Sequence, residues 1–335
     1  MFNPYPVAST NEPLATTAAS RSHPHLKALV AQARAQGPIV VAVAYPCDPA
    51  SIAAAHSAAQ AGLIQPVLVG PRARIEAAAA HASVSIAGFA IQDTSDDPNA
   101  AAKRAAELCR DGHADALMKG ALHTDELLGA AVSRDAGLRT GRRASHVFVM
   151  DVPTLGRPLL MTDCVLNIAP TLLDKRDIAQ NAIDLTHALG TPMPRVAILS
   201  AVETVNPAIQ GTIDAAALCK MADRGQIRGA ILDGPLAFDN AISVESARNK
   251  GINSPVAGRP DVLLVPNLEA GNMIYKELVY LANAECAGLV LGLQVPIVLT
   301  SRSDSVASRV ASCALAVLVS GLATRRCPEQ LEKAA

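Results

Sequence analysis

Four polar segments, far apart in the chain, each follow an apolar run and carry residues able to hold an anionic ligand. The first is 117-LMKGALHTDELL-128, which offers Lys119, Gly120, His123 and Thr124. The second, 231-ILDGPLAFDNAIS-243, offers Asp233, Gly234, Asp239 and Ser243. The third, 263-LLVPNLEAGNMIYK-276, offers Asn267, Glu269, Gly271, Asn272 and Lys276. The last, 297-IVLTSRSDS-305, places Thr300, Ser301, Arg302, Ser303 and Asp304 where a strand gives way to a helix. Arg139, Arg142 and Arg143 form a further group ahead of an apolar run at 144–150. A guanidinium donates two parallel hydrogen bonds to a phosphate, so at least one of the three suits a phosphorylated ligand. Each piece also has an ordinary structural use. Ser-Arg-Ser-Asp is a good helix start, Gly234 and Gly271 suit turns, and His123 and Asp239 can serve as caps. The signal lies in the four segments together, as parts of one cleft.

The elements that must position these residues are legible as short β-branched runs alternating with Ala-rich stretches. Strands are expected at 38–45, 65–70, 114–119, 146–151, 158–163, 195–201, 229–233, 261–265 and 295–300. Helices are expected near 21–36, 50–61, 98–111, 170–189, 209–224, 240–250, 270–284 and 304–322. The strands are almost continuously apolar, as in parallel sheets covered by helices on both faces. The fold class is therefore α/β, and ligands of such sheets bind at the carboxyl ends of strands, beside helix N-termini. At 151-DVPTLGRPLLMTD-163 a Pro/Gly turn replaces the helix between two strands, a hairpin-like excursion where the chain could leave one sheet and begin another. The expected domains are 1–154 with 301–335, and 155–300, with residues 1–20 as a flexible lead-in.

Composition narrows the function. The net charge is -1, Trp is absent, and only four Phe and four Tyr are present. Neither a basic stripe nor a set of stacking aromatics is available for nucleic acid. No apolar run reaches membrane-spanning length, and the N-terminus does not read as a secretory signal, so a cytoplasmic protein is expected. The seven cysteines are odd in number and lack CxxC spacing, as expected of reduced thiols rather than a disulfide framework or zinc site. A P-loop, an early GxGxxG and a GxSxG elbow are all missing, so ordinary nucleotide phosphotransfer and simple dinucleotide binding lose ground.

Taken as a set, MKGALHT (118–124), GLRTGRRASHVFVMDVP (137–153), DGPLAFDNA (233–241), PDVLLVPNLEAGNMIYK (260–276) and PIVLTSRSDS (296–305) resemble the phosphate acetyl/butyryl transferases. The resemblance covers about residues 35–325, by motif placement. It implies two doubly wound α/β domains of isocitrate dehydrogenase-like fold around a cleft, and usually a homodimer. It also implies transfer of a short acyl group between phosphate and coenzyme A, without a covalent acyl-enzyme or a permanently bound cofactor, and no metal. By the same resemblance, Arg302 binds phosphate oxygens and Ser301 bonds the reacting carbonyl or phosphate. Lys119, His123, Thr124, Arg139, Arg142, Asp239, Asn272, Thr300 and Ser303 are the expected substrate contacts. A hinge near 155 and 300 would open the cleft.

One position departs from the family pattern. Acetyltransferases of the family often carry an aspartate seven residues after the serine, proposed as the base for the thiol; this chain has Ser308 there. Asp304 is the nearest carboxylate, in an SRSDS pattern closer to the SRADS of butyryl-type members. Either Asp304 takes the thiol proton, or Arg302 and the helix start lower the thiol's pKa without a base. Two other classes stay open at this point. A metal-dependent dehydrogenase of the same fold would need Asp233, Asp239 and Asp261 to converge, and a non-catalytic acyl-CoA sensor would bind without turnover.

Overall fold

The computed structural model describes residues 23–299 and 304–326, with side chains through 321. The chain first alternates helix and strand: α1 (Pro24–Arg34), β1 (Ile39–Ala44), α2 (Pro49–Gln60), β2 (Ile64–Gly70), α3 (Arg72–Ala82), β3 (Ala90–Asp93), α4 (Pro98–Arg110), β4 (Ala116–Lys119) and α5 (Thr124–Val132). Local chemistry fixes several starts. Asp48 and Asp97 cap α2 and α4 by accepting the Ser51 and Asn99 N–H groups, and each is followed by a proline that needs no hydrogen-bond partner. The start of α1 is capped from elsewhere, by the buried Asp151 carboxylate, which accepts the His25 and Leu26 N–H groups at 2.8 and 3.1 Å.

The hairpin β5 (Ser145–Asp151) and β6 (Leu159–Thr162) follows. Next come α6 (Leu172–Ala188), β7 (Arg195–Leu199), α7 (Gln210–Asp223), β8 (Ile231–Leu236), α8 (Phe238–Ile242), α9 (Val244–Asn249) and β9 (Val262–Leu264). The chain ends with α10 (Leu268–Leu281), β10 (Glu285–Leu291), β11 (Ile297–Val298) and α11 (Val306–Arg326).

All eleven strands join one sheet, in the order β3-β2-β1-β4-β11-β10-β5-β6-β9-β7-β8. Seven of its pairings are parallel, so the molecule is α/β with a mainly parallel sheet. The Pro/Gly turn at 151–163 does form a hairpin. The chain does not leave the sheet there, however, because the free edge of β6 is taken by β9 in parallel register. The three antiparallel pairings, β11–β10, β10–β5 and β5–β6, lie side by side at the centre. Strands in the two halves therefore run in opposite directions.

The two faces are packed differently. On one face a single core runs through both halves, joining Val41, Met118, Val149, Leu160, Leu264 and Ile198 to α1, α2, α6, α7 and α11. On the other face the core is in two pieces. One surrounds Leu117, Val290 and Leu299 under α4 and α5; the other surrounds Phe148, Met150, Met161 and Leu263 beside α10. The gap between the two pieces lies over the β10–β5 pair, which supplies Val290 to the first and Phe148, Met150 and Cys286 to the second. Side-chain alternation puts Lys119 on this divided face with Leu117.

Candidate functional site

The floor of the gap is built from small and aromatic residues. His146 lies on β5 opposite Val290, and Phe148 lies opposite Gly288. A Cβ on Gly288 would stand 2.6 Å from His146 Cε1, so the imidazole occupies space that only glycine leaves. The ring meets the Phe148 edge at 4.3 Å, and Phe148 stacks on Tyr275 of α10 at 4.2 Å and 11°. These contacts link the floor to one wall. His146 is 1% exposed and its Nδ1 has no partner. Burial pushes its imidazole down to about 4, against the opposing pull of the Asp163 carboxylate and a hydrogen bond to the Leu299 backbone.

Asp163 organises the turn beneath the floor. Its buried carboxylate accepts N–H groups from Val165 and Leu166 at 2.9 Å, the Asn167 side chain at 2.6 Å and the His146 backbone at 3.2 Å.

At one edge of the sheet the carboxyl ends of β4 and β11 meet the start of β10. Val298 pairs with Met118, so the chain leaves β11 beside Lys119. Here Asp304, Ser305, Ser308, Glu285, Cys286 and Tyr275 face a cavity of about 190 Å³. Glu285 accepts the Ser305 hydroxyl at 2.6 Å and also the Ser308 hydroxyl. Burial, with the Asp304 and Glu285 charges adding to it, pushes the Cys286 thiol up to about 12 and leaves it protonated. Burial likewise raises the Tyr275 phenol. The expected residues Thr300, Ser301, Arg302 and Ser303 lie outside the described residues; Leu299 and Asp304 mark where they leave and rejoin.

Lys119 is buried at the end of β4, with Nζ 3.4 Å from the Gly120 carbonyl. Gly120 presses on β1: a Cβ there would lie 2.3 Å from the Ala44 oxygen. The strand order reverses between β1 and β4, the position at which open α/β sheets bind ligands. His123 and Thr124 open α5, where the His123 backbone N–H donates to Glu126 at 2.6 Å.

Towards the opposite edge, where β5 begins, Arg139, Arg142 and Arg143 line a pocket of about 340 Å³ against Leu128, Val132 and Leu166. Arg142 pairs with Asp184 at 2.5 Å, and Arg143 donates to Asn167 at 2.7 Å. An apolar wall with guanidinium groups at its rim suits a ligand that is greasy in the middle and anionic at an end.

The model of the phosphate acetyl/butaryl transferase family matches residues 99–317. The chain is 58% identical over 290 residues to the phosphate acetyltransferase of Rhizobium meliloti, covering 87% of this chain and 92% of that one. The chain belongs to this family. It is also 43% identical over 279 residues to the phosphate butyryltransferase of Clostridium beijerinckii, covering 83% of this chain and 92% of the relative. Among solved structures it is similar to a branched-chain phosphotransacylase from Enterococcus faecalis V583, with a TM-score of 0.74 and 30% identity over 84% of this chain and 99% of that one.

Asn272 lies on α10 one turn before Tyr275 and donates to the Cys164 carbonyl at 3.1 Å. Asp239 is placed apart from both cavities. Ser246 donates to it at 2.7 Å and Lys250 pairs with it at 3.1 Å, which hold its carboxyl down at about 2. Asp261 is committed to Arg195, and Asp233 accepts the Gly234 N–H. The three aspartates that a metal-dependent dehydrogenase would use thus go to different partners. Among the described residues, no His, Cys, Asp or Glu group is arranged to hold a metal, and the six described cysteines are unpaired.

Tyr275, His146, Asp163 and Glu285 were not singled out by sequence reasoning. Gly288 inside an apolar run was the available hint to His146, since a strand glycine marks close approach. Glu285 also bears on the departure at Ser308: a carboxylate does reach that position, from the neighbouring strand.

Proposed function

We propose that this chain is a phosphate acetyltransferase, carrying an acetyl group reversibly between acetyl phosphate and coenzyme A. The observation that supports it best is the cleft itself. The divided face carries the Arg139–Arg142 pocket, the Phe148–Tyr275 floor and Lys119, with the start of α11 at the strand ends beside Tyr275, in a family member 58% identical to a phosphate acetyltransferase. The thiolate sulfur attacks the acyl carbon, the C–O bond to phosphate breaks, and phosphate leaves with the electron pair. Arg302 and Lys119 neutralise the phosphate, and Ser301 donates to the developing oxyanion. A thiol of pKa near ~8.5 needs an acceptor for its proton, a role given to Asp304. Arg139 and Arg142 hold coenzyme phosphates, with Thr300, Ser303, His123, Thr124 and Asn272 as further contacts. Asp239 acts at most through the Lys250 network. Coenzyme A is a substrate, and no resident cofactor takes part.

A butyryl preference is the second reading, favoured by the 43% identical butyryltransferase and the SRSDS pattern. Release of free coenzyme A from acetyl-CoA and butyryl-CoA, with and without phosphate, tests both. Phosphate-dependent turnover of acetyl-CoA is expected, and turnover of neither substrate refutes the enzymatic reading. Arg302→Ala should raise KM for phosphate or coenzyme A and lower kcat; wild-type kinetics would remove Arg302 from the site.

The lobes 1–154 with 301–335, and 155–300, are the proposed walls of the cleft. A homodimer is proposed through α10, whose Met273, Tyr280 and Leu281 are 66%, 70% and 78% exposed, and light scattering at twice the chain mass is the expected result. The proposed location is the cytoplasm; no described helix is long and apolar enough to cross a membrane.

A further inference from the structure

We infer that Glu285 is a positioning residue for acyl transfer, tying the start of α11 to β10 and so fixing Asp304 beside the reacting groups. This rests on the placement of the reaction at that helix start. Glu285 is the first residue of β10, opposite Asp151 of β5, on the central antiparallel pair. Its Oε1 accepts the hydroxyls of both Ser305 and Ser308, and the Ser308 N–H donates to Ser305 Oγ at 3.0 Å. The serines are three residues apart, so both hydroxyls of this first helical turn converge on one carboxylate oxygen. A carboxylate at a helix N-terminus is also favoured by the helix dipole. The tie therefore joins the strand floor to the turn that carries Asp304.

Glu285 also shares its cavity with Asp304. Burial raises the pKa of the neighbouring Cys286 thiol, with the Asp304 and Glu285 charges adding to it. The cavity thus holds two carboxylates, and replacing one by a neutral group changes the charge that the other faces. The other titratable groups facing this space are His23 ahead of α1, Tyr275 and Tyr280 of α10, and Cys286, while Asp151, opposite Glu285 on β5, is turned to the start of α1. Glu285 thus has two separable effects, one geometric through the hydroxyls and one electrostatic through its charge.

The test compares Glu285→Gln, Glu285→Asp, the double variant Ser305→Ala/Ser308→Ala, and Asp304→Asn in the full-length chain, by phosphate-dependent release of coenzyme A from acetyl-CoA. Glu285→Gln should lower kcat roughly ten- to a hundredfold with KM values changed less than about twofold. The acid limb of its kcat/KM profile should move to lower pH, because Asp304 loses a like-charged neighbour. Glu285→Asp should recover part of kcat and return the limb towards its wild-type position. The serine double variant keeps the charge, so kcat should fall while the limb stays in place. A Glu285→Gln variant with wild-type kcat overturns the inference. So does a loss of kcat that tracks a loss of thermal stability with an unmoved pH profile. If Asp304→Asn keeps wild-type kinetics while Glu285→Gln loses kcat with an unmoved limb and full stability, the base assignment fails and the geometric tie stands. If Asp304→Asn is impaired and Glu285→Gln is not, the tie fails and the base assignment stands.

Discussion

The two faces of the sheet have been given opposite tasks by the same strands. On β5, Val147 and Val149 belong to the core that spans the molecule, while His146 and Phe148, between and beside them, belong to the interrupted face. One face is a closed apolar layer with helices along its length. The other divides at the antiparallel pair, whose residues go to one piece or the other, and holds there a neutral imidazole, a glycine and stacked rings. Substitutions in the apolar layer of the closed face should therefore cost stability with little change in turnover, and those on the open face should reach turnover as well as stability.

The largest effect expected is on the closed side. Lys175 of α6 and Asp214 of α7 form an ion pair at 2.7 Å with side chains 7% and 8% exposed, and Gln210 supports Asp214. Lys175→Met strands a buried carboxylate and should cost about 3–5 kcal/mol in urea unfolding, with kcat per folded molecule unchanged. A drop in kcat without loss of stability would break the division between the faces.

The next effect comes from pH. Burial holds the His146 imidazole down at about 4 in the folded chain, against an ordinary value of 6.5. Between those values the unfolded chain binds more protons, so stability is whole above 6.5 and falls as pH drops through the window. The contribution is on the order of 3 kcal/mol, from the linkage between the two pKa values. His146→Gln should flatten the pH dependence of urea unfolding between pH 7.5 and 5; an unchanged slope would take His146 out of the account.

A smaller cost is expected at Gly288. The methyl of Gly288→Ala displaces the His146 ring, which should destabilise by about 1–3 kcal/mol and lower kcat about tenfold through the misplaced floor. Wild-type turnover in that variant would mean that the floor does not shape the reaction. The smallest stability effect belongs to Arg142→Gln, which breaks a pair whose side chains are 43% and 34% exposed. It should change stability by no more than about 1 kcal/mol while raising KM for coenzyme A.

Much of this arrangement was legible from residue order. The β-branched runs gave nine of the strands, and the Pro/Gly turn marked the β5–β6 hairpin. The elements missed were those whose residues carry weak patterns. β3 is a short strand with the mixed sequence AIQD at the sheet edge, and β10 (ECAGLVL) opens on a charged residue followed by the small Cys-Ala-Gly. α3 and α5 are short, and α5 contains a glycine. The site was readable where chemistry sits in one segment, as at Lys119 or Arg139–Arg143. It was not readable where partners come from different strands. Glu285 and Ser308 are 23 residues apart, and only the crossing of β10 and α11 brings them together. Asp239 shows the converse: a suggestive motif whose polar group is satisfied locally by Ser246 and Lys250.

The unbroken hydrogen-bonded sheet has a mechanical consequence. Two lobes joined by a loop can swing apart, but two halves sharing a ladder of backbone bonds can separate only by bending or twisting it. A hinge at residue 155 would have to act across the β5–β6 pairing, and one at 300 beside the β4–β11 pairing. The parts able to give are then the helices standing on the sheet, α5 among them, above a stiff base of strands. Room for a longer acyl chain would be found by tilting a wall, and the reacting atoms would keep their seat while it moved.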